Sequence, residues 1–591
     1  MRAFRPKFIC PQCRIVRARL PPTPTMTSTA RATARSFHSS LVTRFPSNDH
    51  PVPDSTSAAS TAPTTPPPPP FAATPRPTTA PRPNIDIKHI RQNAALYEQN
   101  CIERNYGAQA AYPWRIITLF EEWQARQRDG RGLRERSNAV RRQLANPASI
   151  QHEGDNDAGG GEEKKSEPKG KSNSNSSRDA LLEEARDIKR QLSAIEADEA
   201  RLTAEMEELA LAIPNLTSDE TPRGDEPRVL TYINGGGDDG GEATTTATTA
   251  EPSSFPFSSS DRVWRSHVHI GAELGILDFA GAATASGWGW YYLLDEGAQL
   301  EQALVQYALS AVARQGTGWR RVAPPSIVYS HIAAACGFQP RDQNGEQQVY
   351  GLAAGGGGNS ESNTKQRKPE LSLAGTAEIP LAGMKADSVF ESAAADLPCK
   401  AVGVSRCYRA EAGARGAETK GLYRVHEFTK VEMFAWTAPD AAAAVEAFDE
   451  ILDIQTEILA SLGLRCRVLE MPSADLGASA SRKCDIEAFF PSRVGVGGDG
   501  GGWGEVTSAS ICGDYQTRRL ATRARVDGAG RMAYPYTVNG TALAVPRVLA
   551  ALLENGWDEE EGTVAIPECL RPWMDGKDKI GPKHHLHPRR G

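Results

Sequence analysis

Between residues 178 and 213, Leu181, Ala185, Ile188, Leu192, Ile195, Glu199, Leu202, Met206, Leu209 and Ile213 recur three and four apart. This spacing predicts a helix with a coiled-coil seam, interrupted only by the polar Glu199. A less regular helical pattern covers Trp114–Asn146. Ile116, Phe120 and Trp123 share a face there, as do Leu133, Ser137, Val140 and Leu144, with Gly130 and Gly132 between the two groups. Two such stripes would bury each other as an antiparallel hairpin, with the Gly-, Lys- and Ser-rich stretch 147–177 at its tip. A shorter amphipathic helix is predicted from Ile85 to about Asn105. Further on, Tyr423–Phe434 alternates like a strand, and Cys399–Tyr408 reads as its antiparallel neighbour.

Composition divides the chain around these elements. Residues 49–84 form a Pro/Thr-rich linker, with Pro66 to Pro70 consecutive. Residues 85–216 hold the helical arm, and 217–261 form a linker with a Gly/Ser/Thr insert. Residues 262–580 are globular in composition apart from a Gly-rich insert at 353–369, and 581–591 form a tail. The hydrophobic fraction of 39% is low for 591 residues because these tracts cannot repay their ordering by burial. Neither Gly run ends in Lys-Ser/Thr, so neither reads as a phosphate loop. No apolar run approaches the length of a membrane-spanning helix, and no membrane partner is expected.

A net charge of -6 does not mark a nucleic-acid binder, so any such contact needs a local basic stripe. Residues 114–145 contain eight Arg and four acids; residues 178–212 contain five basic residues and ten acids. Arg134, Arg136, Arg141 and Arg142 form the stripe. Two readings stay open: ion pairing between the hairpin's arms, or contact with phosphates.

Residues 1–48 contain no Asp or Glu and many Arg and Ser, with Arg35-Ser36-Phe37-His38-Ser39-Ser40 like a matrix-protease site. This is the composition of a mitochondrial transit peptide, which places the protein in the matrix, with cleavage expected between residues 35 and 50. Met26 offers a second start. Cys10 and Cys13 form a CxxC with no second pair at zinc spacing, and His584, His585 and His587 read as a charged end. Neither is taken as a metal site. The other cysteines fit a reducing compartment as small buried hydrophobes.

His269-Ile270-Gly271-Ala272 looks like the HIGH signature of class I synthetases, but no Rossmann strand precedes it and no lysine-rich loop follows. The stronger run begins at Cys407: Cys-Tyr-Arg409-Ala410-Glu411-Ala-Gly413, then Gly421-Leu-Tyr-Arg424-Val425-His426-Glu427-Phe428-Thr-Lys430-Val-Glu432. It resembles motif 2 of class II aminoacyl-tRNA synthetases, specifically the seryl-tRNA synthetase family. Gly375-Thr376-Ala377-Glu378-Ile379-Pro380 resembles that family's Thr-Ala-Glu segment. Gly504-Glu505-Val506-Thr507-Ser508 resembles its metal-bearing strand, and Asn539-Gly540-Thr541 through Arg547 its motif 3. Trp319-Arg-Arg-Val-Ala-Pro324-Pro325 is a weaker match to motif 1, which builds the family's dimer interface. The resemblance covers about residues 85–580 outside the inserts.

The resemblance implies an α+β fold: an N-terminal antiparallel helical hairpin arm, then a class II antiparallel-sheet catalytic domain. It implies a serine–tRNA ligase that makes seryl-adenylate from serine and ATP with Mg²⁺, then charges tRNA(Ser), which the arm grips, as a homodimer. Arg409 and Arg547 would be catalytic. ATP would be held by Arg409, Ala410, Glu411, Val425, Glu505, Val506, Thr507, Ser508 and Arg547, and Mg²⁺ by Glu505 and Ser508. Serine would be held by Thr376, Ala377, Glu378, Glu432 and Thr541. The residue types suit the chemistry, because the obstacle to adenylation is concentrated negative charge, and forked guanidinium groups relieve it. A buried carboxylate is the natural partner of an ammonium. Family members often carry Gly at the positions of Ala542 and Pro546, which puts the loop geometry of motif 3 in question. The alternatives are a silent paralogue that only binds tRNA or a partner, a coiled-coil scaffold, and a class II enzyme for another amino acid.

Overall fold

The computed structural model describes residues 80–145, 172–235, 265–314, 318–338, 348–353, 369–411, 421–494, 501–526 and 530–582, with side chains in the second segment from Arg178. The leader, most of the first linker, most of each insert and most of the tail lie outside the described residues.

The arm begins with α1 (Ile87–Gln92) and α2 (Ala94–Glu103) where one helix was expected. The break falls at Asn93, whose backbone leaves the helical region (φ -130°, ψ 38°) while its side-chain amide donates to the His89 carbonyl. The two long helices follow, α3 (Tyr112–Ala145) and α4 (Ser172–Ala212). α3 runs unbroken through Gly130 and Gly132, and α4 starts inside the stretch assigned to the tip insert. Ile116 and Leu119 of α3 pack with Leu202, Met206 and Ala210 of α4 and with Ile90 and Cys101 of the short helices. Leu119, not Phe120, takes the buried seat; Phe120 stacks on Trp123 with ring centroids 5.7 Å apart. Glu199 keeps its seam position because Arg134 reaches it across the hairpin, Nη2 to Oε1 3.2 Å. Arg136 forks onto Glu184 in the same way, with bonds of 2.5 and 2.9 Å.

The arm is pinned to the rest of the chain by backbone carbonyls. Arg104 of the turn after α2 is fully buried, and its guanidinium donates to the carbonyls of Asn215 and Gly477. With no carboxylate bonded to it among the described residues, burial lowers its pKa to about 10. Asn215 in turn donates to the carbonyls of Ser479 and Cys512, both at 2.9 Å. Arg519 donates to the carbonyls of Leu211 and Ile213, covering orphan acceptors at the end of α4.

The main sheet has eight strands: β1 (Arg228–Ile233), β2 (Arg320–Val322), β3 (Cys399–Tyr408), β4 (Glu427–Thr437), β5 (Cys466–Glu470), β6 (Arg482–Phe489), β7 (Trp503–Gly513) and β8 (Tyr536–Ala544). Their order is β1-β5-β6-β7-β8-β4-β3-β2, antiparallel except for β2 on β3. β1 lies within residues 217–261, so that segment is an edge strand as well as a linker. β4 starts at Glu427 rather than Tyr423, because Gly421–Tyr423 coils into a 3₁₀ turn. The remaining helices that matter to the site are α5 (His267–Glu273), α6 (Glu296–Arg314), α7 (Glu378–Gly383), α8 (Ala441–Ser461), α9 (Tyr515–Leu520) and α10 (Val545–Asn555).

Strand periodicity sorts β4 into two faces. Val431, Met433 and Ala435 join the core beneath α6, α8 and α10, which includes Leu304, Phe448, Ile454 and Leu549. Phe434 and Trp436 point the other way into a second cluster with Ile379, Leu381 and Leu520. Lys430 and Glu432 share that second face and are buried without being apolar.

Candidate active site

The register of the central strands sets one polar pocket. Glu432 of β4 lies opposite Thr541 of β8. Its Oε2 accepts from Thr541 Oγ1 at 3.1 Å and pairs with Lys430 Nζ at 2.6 Å. Glu378 opens α7 and is buried, with Oε1 accepting from Gln516 Nε2 of α9 at 2.6 Å. Thr376 Oγ1 accepts from the Glu378 N–H, which fixes the turn into α7, and Ala377 beside it is fully buried. Burial and the neighbouring Glu432 raise the pKa of Glu378 to about 7, against the pull of Lys430, Gln516 and Arg409. Two carboxylates and one lysine leave this pocket short of one positive charge. Lys430 and Gln516 carry no assigned role in the sequence reading. The period-two alternation of β4 puts Lys430 on the face of Glu432, but the Gln516 contact spans 138 positions and has no local signal.

A second group lies along β3, β7 and α10. Arg409 follows β3, its N–H donating to the His426 carbonyl, with its guanidinium carbon 5.2 Å from the Phe428 ring centre. The Ala410 N–H donates to the Gln348 carbonyl. Glu411 sits at positive φ (49°) and pairs with Arg424, and Val425 is buried beside Cys407 and Phe428. Arg547, in the first turn of α10, pairs with Glu505 at 3.0 Å and donates to the Tyr423 carbonyl at 3.2 Å. Burial would push the Glu505 carboxyl up, but Arg547, Lys483 and Arg409 overcome it and hold it well below the usual carboxylate range.

An irregularity in the pairing of β6 with β7 falls at Val506. Val506 enters the core, and Thr507 turns to α8, where Gln455 donates to its Oγ1 at 3.0 Å and it donates to the Thr541 carbonyl. The side chains of Val506 and Thr507 therefore point away from Glu505; only their backbone can face a ligand. Ser508 lies directly opposite Asp485 of β6. Asp485 pairs with Lys483 through Oδ2 at 2.7 Å, while its buried Oδ1 has no hydrogen-bond partner among the described residues. Hard oxygens of Glu505 and Ser508, beside an unsatisfied carboxylate oxygen, suit a hydrated Mg²⁺. Among the described residues no group of three or more His, Cys, Asp or Glu side chains could hold a metal.

Ala542 and Pro546 leave motif 3 intact. Ala542 packs in the core, and Pro546 occupies the first turn of α10, where a missing N–H costs nothing. Gly540 has no such latitude: a Cβ there would lie 2.4 Å from Ile451. The His269 segment forms α5, with His269 bonded to Ser266 Oγ. On the arm, Arg134 and Arg136 are engaged with Glu199 and Glu184, whereas Arg141 and Arg142 are exposed and pair with no described residue.

An antiparallel sheet carrying two arginines, two buried carboxylates and a motif 3 helix defines a class II aminoacyl-tRNA synthetase core. In agreement, residues 362–556 match the family profile described as tRNA synthetase class II core domain (G, H, P, S and T). The mitochondrial serine–tRNA ligase of Schizosaccharomyces pombe is 36% identical over 490 residues, 83% of this chain and 88% of that protein. The serine–tRNA ligase of Rubrobacter xylanophilus is 36% identical over 84% of this chain and 99% of its own. The mitochondrial serine–tRNA ligase of Saccharomyces cerevisiae is 47% identical over 54% of this chain and 65% of its own. Among solved structures, seryl-tRNA synthetase from Pyrococcus horikoshii complexed with ATP superposes with a TM-score of 0.67 at 28% identity, covering 85% of this chain and all of that one. The chain belongs to the serine–tRNA ligase family and is an aminoacyl-tRNA ligase.

Proposed function

We propose that the chain activates L-serine with ATP to seryl-adenylate and transfers the seryl group to the 3′ end of tRNA(Ser) in the mitochondrial matrix. The observation that carries this reading is the pairing, on one sheet face, of the Glu378/Glu432/Thr541 pocket with Arg409 and Arg547. Glu378 and Glu432 take the substrate ammonium, which supplies the positive charge the pocket lacks. Thr541, with Thr376 nearby, meets the serine hydroxyl. Arg409 stabilises the charge that builds on the α-phosphate as the serine carboxylate attacks and pyrophosphate leaves. Arg547, Glu411, Val425 and the backbone at Ala410, Val506 and Thr507 hold ATP. Glu505 and Ser508 hold Mg²⁺, which neutralises phosphate charge when bound.

Arg141 and Arg142, unpaired among the described residues, are the arm's first phosphate contacts; Arg134 and Arg136 reach phosphate only by sharing or leaving their glutamates. A homodimer is supported by the exposed apolar face that Ile327, Tyr329, Leu352 and Leu371 share on a small three-stranded sheet, which begins just after the motif 1 strand in sequence. A silent paralogue is disfavoured because Arg409, Glu432 and Arg547 are all present and engaged. ATP–pyrophosphate exchange across the twenty amino acids tests the reading: serine alone should drive it. Absence of serine-dependent exchange would sink it.

A further inference from the structure

His267, the first residue of α5, is buried and takes no part in the reaction proposed above. Its Nδ1 lies 2.8 Å from Glu554 Oε1, its N–H donates to the same oxygen at 3.1 Å, and its Nε2 lies 3.1 Å from the Leu422 nitrogen. A backbone N–H can only donate, so Nε2 is the acceptor and Nδ1 carries the proton that goes to Glu554. Ser492 gives Glu554 two more bonds, at 3.2 and 3.0 Å.

Both partners of this imidazole belong to the ATP side of the site. Glu554 lies on α10, the helix that begins beside Arg547. Leu422 precedes Tyr423, whose carbonyl accepts from Arg547 Nε and whose ring lies 4.6 Å from the Arg547 guanidinium carbon. Two residues further on, Arg424 pairs with Glu411. One neutral histidine thus fastens the returning arm of motif 2 to the helix of motif 3. The approach is close enough to require Gly421: its φ is 71°, and a Cβ there would lie 2.2 Å from His267 Nε2. An apolar side chain could fill the same volume. Only a side chain that donates at one end and accepts at the other satisfies both buried groups.

We propose that His267 is a positioning residue for ATP binding, setting the Tyr423 carbonyl and ring against which Arg547 is oriented. The inference rests on the assignment of Arg547 to ATP. The test measures KM for ATP and for serine in pyrophosphate exchange, with melting temperatures, on four variants. His267→Leu removes both bonds and should raise the ATP KM about tenfold, the scale of one buried N–H left unsatisfied, while moving the serine KM less than about twofold. His267→Gln keeps an acceptor for the Leu422 N–H and should bring the ATP KM back to within about threefold of the parent. Gly421→Ala drives a methyl against the imidazole and breaks the Leu422 bond while residue 267 stays histidine, and should repeat the ATP-selective loss even if His267→Leu does not fold. Arg547→Ala is the control: an unchanged ATP KM there would overturn the ATP assignment itself. If Arg547→Ala raises the ATP KM but the His267→Leu and Gly421→Ala variants do not, or shift both substrates equally with their melting temperature, the positioning role is wrong.

Discussion

Glu378 is a carboxylic acid whose ionisation is set by the company it keeps. Its pKa of about 7 is raised by burial and by Glu432, so it is ionised only above that pH. The ionised form is the one an ammonium needs, and bound serine favours it. By linkage, the serine KM should therefore fall as pH rises from ~6 to ~8, and Glu378→Gln should flatten that dependence while raising the KM. For stability the sign is opposite: the cost of ionising Glu378 is absent below its unfolded value and complete above about 7. An equal serine KM at both ends of the range would remove Glu378 from the ammonium site. A second pair of substitutions separates binding from rate. Glu432→Gln keeps shape but loses charge, so serine activation should weaken about a hundredfold with ATP affinity nearly unchanged. Arg409→Ala should instead lower the maximal exchange rate, because its contact strengthens as charge moves to phosphorus. The shared placement of Glu432 and Thr541 was legible, because both stand in runs that resemble a known pattern and the register of β4 on β8 brings them together. The orientation of Val506 and Thr507 was not, because one irregularity in the β6–β7 pairing reverses which side chains face the ligand.

The hairpin arm shows what periodicity can and cannot predict. Both long helices and their antiparallel pairing follow from apolar spacing, and the glycines of α3 did not break it because packing against α4 outweighs their propensity cost. The polar Glu199 made no sense along its own helix; its partner, Arg134, lies 65 positions away. This splits the basic stripe into two classes with different expected outcomes. Arg134→Glu would face the half-buried Glu199 with a like charge, and should lower the melting temperature of the protein whether or not tRNA is present. Arg141→Glu with Arg142→Glu should leave melting unchanged, weaken tRNA(Ser) binding, and reduce the log–log salt slope by roughly 2. Filter binding across a salt series, beside calorimetry of the free protein, distinguishes them. Normal charging by the Arg141/Arg142 double variant would mean that phosphate is met elsewhere.

At the scale of the whole molecule, the change from a helical arm to mixed helix and strand was readable from the residue pattern, but β1 was not. Its six residues lie just before a Gly-rich tract and become a strand only by pairing with β5. The exposed apolar face at Ile327 and Tyr329 predicts that Ile327→Asp with Tyr329→Asp yields a monomer by sedimentation, with loss of charging; a dimer that survives both changes would locate the interface elsewhere. N-terminal sequencing of protein purified from mitochondria should begin between residues 35 and 50, and retention of Met1 would argue against import with cleavage. The joint at the root of the arm has a further implication. A helix of 34 residues is about 50 Å long, so one degree of tilt at its base displaces its far end by roughly 1 Å. Arg104, Asn215 and Arg519 act where that leverage is greatest, and each bond their side chains donate goes to a main-chain carbonyl, whose place is fixed by the fold and not by a rotamer. Loosening any one of them should leave serine-dependent pyrophosphate exchange intact yet spread the positions of the arm's far end, so that charging of tRNA(Ser) falls while the small-molecule step does not.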